Sequence, residues 1–166
     1  MNIQDSKHSL KRFWNNIFTG AQVITLGNFL VYYKQIHDIA VDKSGPLYEH
    51  NVIKYDKQDN NATSHLFSSE LLHHASQNPK HNLSVVVYTF IFGEFIDAYQ
   101  SHTMSHKEHA KIRIHALLFL ETWWNFLKKQ GYSQAWYFIS SEAYDIAKTL
   151  ATGLLGVIVI YHDHLP

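Results

Sequence analysis

The chain has 166 residues, the length of one domain and enough for a sizeable core, and its 14 lysine and arginine residues balance 14 aspartate and glutamate residues. That balance excludes a strong overall field for a polyanion or an anionic membrane, so any nucleic-acid contact has to be local. The absence of cysteine excludes disulfides and thiolate metal sites and fits an intracellular protein.

The N-terminus lacks basic residues followed by an apolar run, so secretion is not expected. The longest apolar stretches, 83–96 and 150–161, fall short of the roughly 20 residues that cross a bilayer, and no membrane partner is expected. Histidine is frequent, with 13 residues, and raises the question of metal binding.

In chain order, residues 1–4 are too short for more than the end of a strand, and Asp5-Ser6 reads as a helix start for 7–18. Phe13, Trp14, Ile17 and Phe18 give that helix an apolar side. Thr19-Gly20 interrupts it. Residues 21–41 then read as a longer helix, with Val23, Leu26, Leu30, Tyr33 and Ile36 on one stripe and Gly27 weakening the middle. The turn cluster 42–46 opens a polar surface excursion through Asn61. Asn60 or Asn61 can cap a helix to about Gln77, which Asn78-Pro79 closes.

The densest apolar sequence lies at 83–130, and the rest of the chain has to cover it. Its first half is apolar around most of the circumference, as expected of a central helix. Ser105-His106-Lys107-Glu108 reads as a capping box that starts a second helix. There Ile112, Ala116, Phe119, Trp123, Phe126 and Leu127 recur at three- and four-residue steps, with Leu117, Leu120 and Trp124 widening the stripe. Gly131 reads as a left-handed C-terminal cap. Ser133 opens a last helical region carrying Trp136, Ile139, Ala143, Ile146, Leu150, Leu154, Val157 and Tyr161, divisible at Ser140-Ser141. No alternating strand pattern of useful length is visible. The expectation is a single all-α domain, a compact bundle of about five to seven helices around a buried central helical hairpin.

Asp5, His8, Lys11 and the pair Asn15-Asn16 stand in an order that resembles the motif at the second catalytic aspartate of P-element-type transposases, including the THAP-domain kind. In that motif histidine follows the aspartate at plus three and lysine at plus six, with paired asparagines after them. The segments 16–21, 58–62 with 66–68, 92–100 and 138–142 follow in an order that resembles the helical part of fungal transposase-like proteins. Residues 1–18 thus resemble the aspartate segment and 19–166 a helical insertion.

The resemblance implies an RNase H-like nuclease, in which two aspartates and a glutamate hold paired Mg²⁺ ions that clamp the attacking and leaving oxygens. Hard divalent ions take carboxylate oxygens, so Asp5 would be one metal ligand. The first aspartate is expected before Met1 and the glutamate after Pro166, so the chain alone is not expected to catalyse. Trp14 stands where the motif usually has arginine. The resemblance also implies a nuclear location, DNA as partner and guanosine triphosphate as a ligand, although no Walker-type loop occurs. His8, Lys11 and Arg12 share a helix face and, with Asn15 and Asn16, are the candidate DNA contacts.

Other readings stay open beside it. Asp5 can be a plain N-cap, and the His8-Lys11-Arg12 face can be solvated. His102, His106 and His109, with Glu94, Glu108 or Glu121 nearby, are candidate metal ligands in a histidine-rich bundle, against a solvated helix junction. His73-His74 and His162-Asp163-His164 are weaker sets. Glu94 and Asp97 share a face and suggest a polar seam meeting Lys or Tyr, or an acid-base pair. Trp123, Trp124, Trp136, Tyr137 and Phe138 read mostly as core, and an exposed subset would serve base stacking or a homo-oligomer contact.

Overall fold

The computed structural model describes residues 6–18, 23–53 and 60–164, with side chains left aside at 6–9, 51, 60, 154, 157, 158 and 161–164. It is an all-α multi-helix bundle, as the periodicities predict. The helices are α1 (Ser6–Phe18), α2 (Tyr33–Val41), α3 (Glu49–Ile53), α4 (Asn60–Leu66), α5 (Ser69–Ser76), α6 (Pro79–Gln100), α7 (His106–Lys129), α8 (Gln134–Tyr137) and α9 (Ser141–His164). A hairpin of β1 (Ile24–Leu26) and β2 (Phe29–Val31) is the exception to the helical rule.

The centre is α6, which packs against α1, α2, α5, α7 and β2. Pro79 occupies its first turn, where a missing N–H costs nothing and the fixed φ suits the helix. Val85, Tyr88, Phe92, Phe95 and Ile96 point into the core. Phe92 sits between Phe13 of α1 and Tyr88, with ring centroids 4.2 and 4.7 Å away. The Tyr88 hydroxyl donates to the Phe13 carbonyl at 2.8 Å, and its burial pushes its pKa well up, so it remains a neutral donor. At Gly93 the backbone of Phe67 comes so close that an added Cβ would lie 3.1 Å from its carbonyl oxygen. A strip of α6 faces outward with Leu83, Phe90 and Glu94 exposed, so the helix is central without being covered on every side.

The helix expected over 21–41 is corrected to a hairpin followed by a shorter helix. Ile24, Thr25 and Leu26 pair antiparallel with Val31, Leu30 and Phe29 across a two-residue Gly27-Asn28 turn. Gly27 has φ +63° while no described non-glycine residue has positive φ, the pattern of a type II′ turn. Strand backbone leaves groups that a helix would pair internally, and side chains of the bundle take them. The Trp123 indole donates to the Thr25 carbonyl at 2.6 Å and the Ser84 hydroxyl to the Leu30 carbonyl at 2.6 Å. Val23 N–H donates to the Trp136 carbonyl at 2.7 Å.

Two further boundaries differ. The excursion after Pro46 contains α3, and Leu47 and Val52 are buried, so it is partly core. The helix expected to end at Gln77 is split into α4 and α5, because the Ser68 hydroxyl accepts from Leu71 N–H and starts a new turn.

The ends of α7 follow the local signals. Ser105 Oγ accepts from Glu108 N–H at 3.3 Å, and the Glu108 carboxylate accepts from Ser105 N–H at 3.2 Å. At the other end Gly131, with φ +76°, lets Tyr132 N–H reach the Leu127 carbonyl and Gly131 N–H the Lys128 carbonyl, a Schellman closure. The buried stripe, however, is Arg113, Ala116, Leu120, Trp123 and Leu127, rotated from the one expected. Ile112 and Phe119 lie at its margin and Phe126 is exposed. Gln134–Tyr137 and Ser141–His164 are separate helices, as the serine pair predicts, and Ser140 Oγ caps the second by accepting from Ala143 N–H at 3.2 Å.

Candidate functional site

The residues of the transposase-like motif lie on or before α1. Asp5 is outside the described residues, and of His8 only the backbone is described. Lys11 is half-buried. Arg12 forms an ion pair with Glu142 at the start of α9, and both side chains stay partly exposed. A pair of that kind stabilises by at most about 1 kcal/mol.

Asn16 is only 4 % exposed and both ends of its amide are engaged. Its Nδ2 donates to the Arg12 carbonyl at 2.7 Å, and its Oδ1 accepts from Ser140 N–H at 2.9 Å. In this fold Asn16 therefore ties α1 to the cap of α9 and does not face solvent where a phosphate would sit. Asn15 beside it is half-buried, with its Oδ1 unpaired. The sequence singled out Asn16 and the 138–142 segment separately, but nothing in it says that the two touch across 124 residues.

An Asn16→Ala variant should therefore lose stability through the unpaired Ser140 N–H, by about 1–3 kcal/mol. Chemical denaturation of the variant and the parent chain checks this, and an unchanged midpoint would mean that water replaces the amide without loss.

His102, His106 and His109 do not converge on a metal site. His102 is exposed in the turn before α7, His106 is exposed in its first turn and His109 is half-buried. Among the described residues no group of three or more His, Asp or Glu side chains is placed to hold a metal ion. Glu108 is engaged by Ser105, while Glu121 accepts from the Tyr144 hydroxyl at 2.8 Å and pairs with Lys148 at 3.1 Å. Those two partners hold the Glu121 carboxyl below its ordinary pKa. His74 lies 3.5 Å from Asp42 on a different part of the surface. The side chains of His162 and His164 fall outside the description.

Glu94 and Asp97 line a shallow cleft of about 60 Å³ with Phe67, Ser68, Thr89 and Gly93. Among the described residues neither lysine nor tyrosine lines this cleft. Partial burial raises the pKa of the Asp97 carboxyl. The aromatic stripe is core for Trp123 and Phe138, half-buried for Trp124 and Tyr137, and 63 % exposed at Trp136. A larger opening of about 350 Å³ lies between the hairpin and the α6–α7 pair, lined by Leu26, Phe29, Leu83, Val87, Phe119 and Phe126 among others. Its apolar character was not read from the sequence, because Leu26 and Phe29 belong to the hairpin that the helical stripe concealed.

Fold and site together define an all-α bundle whose first helix is locked to the start of its last. Among the described residues no helix is long and apolar enough to cross a membrane. No protein-family model matches the chain, and no curated protein or solved structure is significantly similar to it.

Proposed function

We propose that the chain is a helical module of the P-element-type transposase kind, which braces an RNase H-like nuclease core by packing and has no catalysis of its own. The observation that supports this is the joint between the two stretches carrying the resemblance. Asn16 holds Ser140, and Arg12 pairs with Glu142. A metal-ligating carboxylate has to be held within a fraction of an ångström, which requires the element that carries it to be rigid. Locking α1 against α6 and α9 gives the segment that follows Asp5 such a base. In this reading Asn16 serves the scaffold and DNA contact falls to the complete enzyme, in the nucleus. Mg²⁺ and guanosine triphosphate belong to that complete enzyme, with Asp5 as one ligand of the metal.

Sequencing the native transcript through both ends of this segment tests the reading. An in-frame strand ending in aspartate upstream and a glutamate-bearing segment downstream are expected, and a transcript lacking both overturns it. Duplex DNA titrated over a salt series separates bracing from direct binding, since phosphate contacts make affinity fall steeply with salt. Such binding, abolished by Arg12→Gln in a chain that stays helical, would replace bracing with DNA recognition.

Homo-oligomerisation is the second reading, favoured by the exposed Phe29, Leu83 and Phe126 around the apolar opening and by Trp136. Sedimentation at micromolar concentration decides it: a dimer lost on Phe126→Glu supports it, and a monomer at all concentrations removes it.

A further inference from the structure

The opening of about 350 Å³ beside the hairpin is shaped as a bowl. Ser84 and Trp123 are buried at its floor, and Leu26, Val87 and Phe119 stand half-buried around them. Phe29, Leu83, Thr122 and Phe126 are exposed and form the rim. The walls therefore come from the hairpin, α6 and α7, which the Trp123 bond to Thr25 and the Ser84 bond to Leu30 hold together at 2.6 Å each.

The polar atoms of the floor are already committed. The Trp123 indole has a single N–H and gives it to Thr25, and the Ser84 hydroxyl gives its proton to Leu30 while accepting from Gln35 Nε2 at 3.2 Å. Among the lining side chains the remaining donor is the Thr122 hydroxyl, at the rim. No lining residue is charged, whereas the cleft at Glu94 and Asp97 and the opening walled by Glu108 and Lys111 both carry charge. A charged guest would lose its hydration in the bowl with no counter-charge to replace it.

Size and shape narrow the guest further. An apolar cavity of about 150 Å³ holds one benzene ring, so 350 Å³ has room for roughly two or three fused rings. Phe29, Phe119, Trp123 and Phe126 supply ring faces and edges, and the inner pair, Phe119 and Trp123, lie 5.8 Å apart with their planes tilted by 44°. Aromatic pairs gain from offset and edge contacts beyond the area they bury. A flat protein surface meets the rim and leaves the floor empty, so a thin guest fills the bowl better than a second copy does.

We infer that the bowl binds one uncharged, fused-ring aromatic molecule, seated against Phe119 and Trp123 with its polar group at Thr122. This site is independent of the bracing role, and it competes with homo-oligomerisation for the same rim.

Fluorescence titration of the full chain at pH 7 with 1-aminoanthracene, a neutral three-ring amine, tests it. A saturable rise with one molecule bound per chain is expected, and the absence of saturation overturns the site. Thr122→Trp fills the mouth of the bowl and Leu83→Glu places a charge there. Both change exposed positions, and each should weaken binding several-fold. Unchanged affinity in either variant that folds places the dye elsewhere and overturns the site. In the parent chain the bound dye should slow amide exchange in 24–31 more than in α1, which contributes nothing to the walls. Equal slowing in the two overturns the position.

Competition defines the guest. 2-Naphthol should displace the dye at lower concentration than 2-naphthoate, which is charged, or 1-decanol, which is a saturated chain. Displacement as easy by the naphthoate or the alcohol overturns the uncharged aromatic class. Sedimentation beside the titration separates the guest from a second copy. A chain that stays monomeric while the dye binds supports the site, and a chain that dimerises and takes the dye only as a monomer covers the bowl with its own copy and overturns it.

Discussion

Trp123→Ala should lower the stability of the chain by about 3–5 kcal/mol, the range for removing a large buried aromatic side chain. For a chain of this length that is a fall in Tm on the order of 10 °C. Two effects combine at this residue. Its ring lies 4.4 Å from that of Phe138 and 5.8 Å from that of Phe119, filling the space where α7 meets the segment before α9. Its indole N–H also supplies the 2.6 Å bond to Thr25 that holds β1 to α7.

Trp123→Phe separates the two. Most of the packing is kept, the Thr25 carbonyl loses its donor, and the expected loss is about 1–3 kcal/mol. Circular dichroism melts measure both, and hydrogen exchange shows where the loss falls. The amides of 24–31 should exchange faster in either variant, before those of α6. If Trp123→Phe matches the parent chain in both measurements, the indole bond does not hold the hairpin.

Phe92→Ala should cost a similar amount, about 3–5 kcal/mol. Phe92 is 1 % exposed and fills the space between Phe13 and Tyr88, where α1 lies on α6. The cavity would also loosen the Tyr88 hydrogen bond to the Phe13 carbonyl. The distinguishing readout is local. Amides of α1 should lose protection more than those of α7, because α7 packs on a different side of α6. Phe92→Leu keeps most of the volume and should lose less than about 1.5 kcal/mol. Equal loss of protection in α1 and α7 would mean that the three rings do not serve α1 in particular.

The local signals were legible and the contacts between distant segments were not. Ser105 with Glu108, Gly131, and the division at Ser140 are decided by hydrogen bonds within a few residues, and each stands where the residue types place it. The hairpin at 24–31 was concealed for a specific reason. Val23, Leu26, Leu30, Tyr33 and Ile36 satisfy helical spacing, while Gly27-Asn28 between two β-branched and aromatic runs is itself a hairpin signal. The choice between them was made by Trp123, Ser84 and Trp136, which pair the strand backbone from other parts of the chain. On α7 the apolar stripe was read through Ile112, since no periodicity rule places a guanidinium such as Arg113 on an inward face.

The candidate site divides in the same way. The motif order from His8 to Asn16 can be read along one helix, but the role of Asn16 cannot. Whether an asparagine faces a phosphate or a buried amide depends on what packs over it, and here that is Ser140.

The sequence by itself determined the all-α class, the central position of the stretch at 83–130 and the two ends of its second helix, because burial of apolar area and local capping act through spacing along the chain. Only the tertiary structure decided that residues 24–31 are a hairpin, that Asn16 is a tie between α1 and α9, and that Arg113 lies on the buried face of α7. Each of these depends on hydrogen bonds or burial contributed by residues far away in sequence, which local pattern alone does not decide.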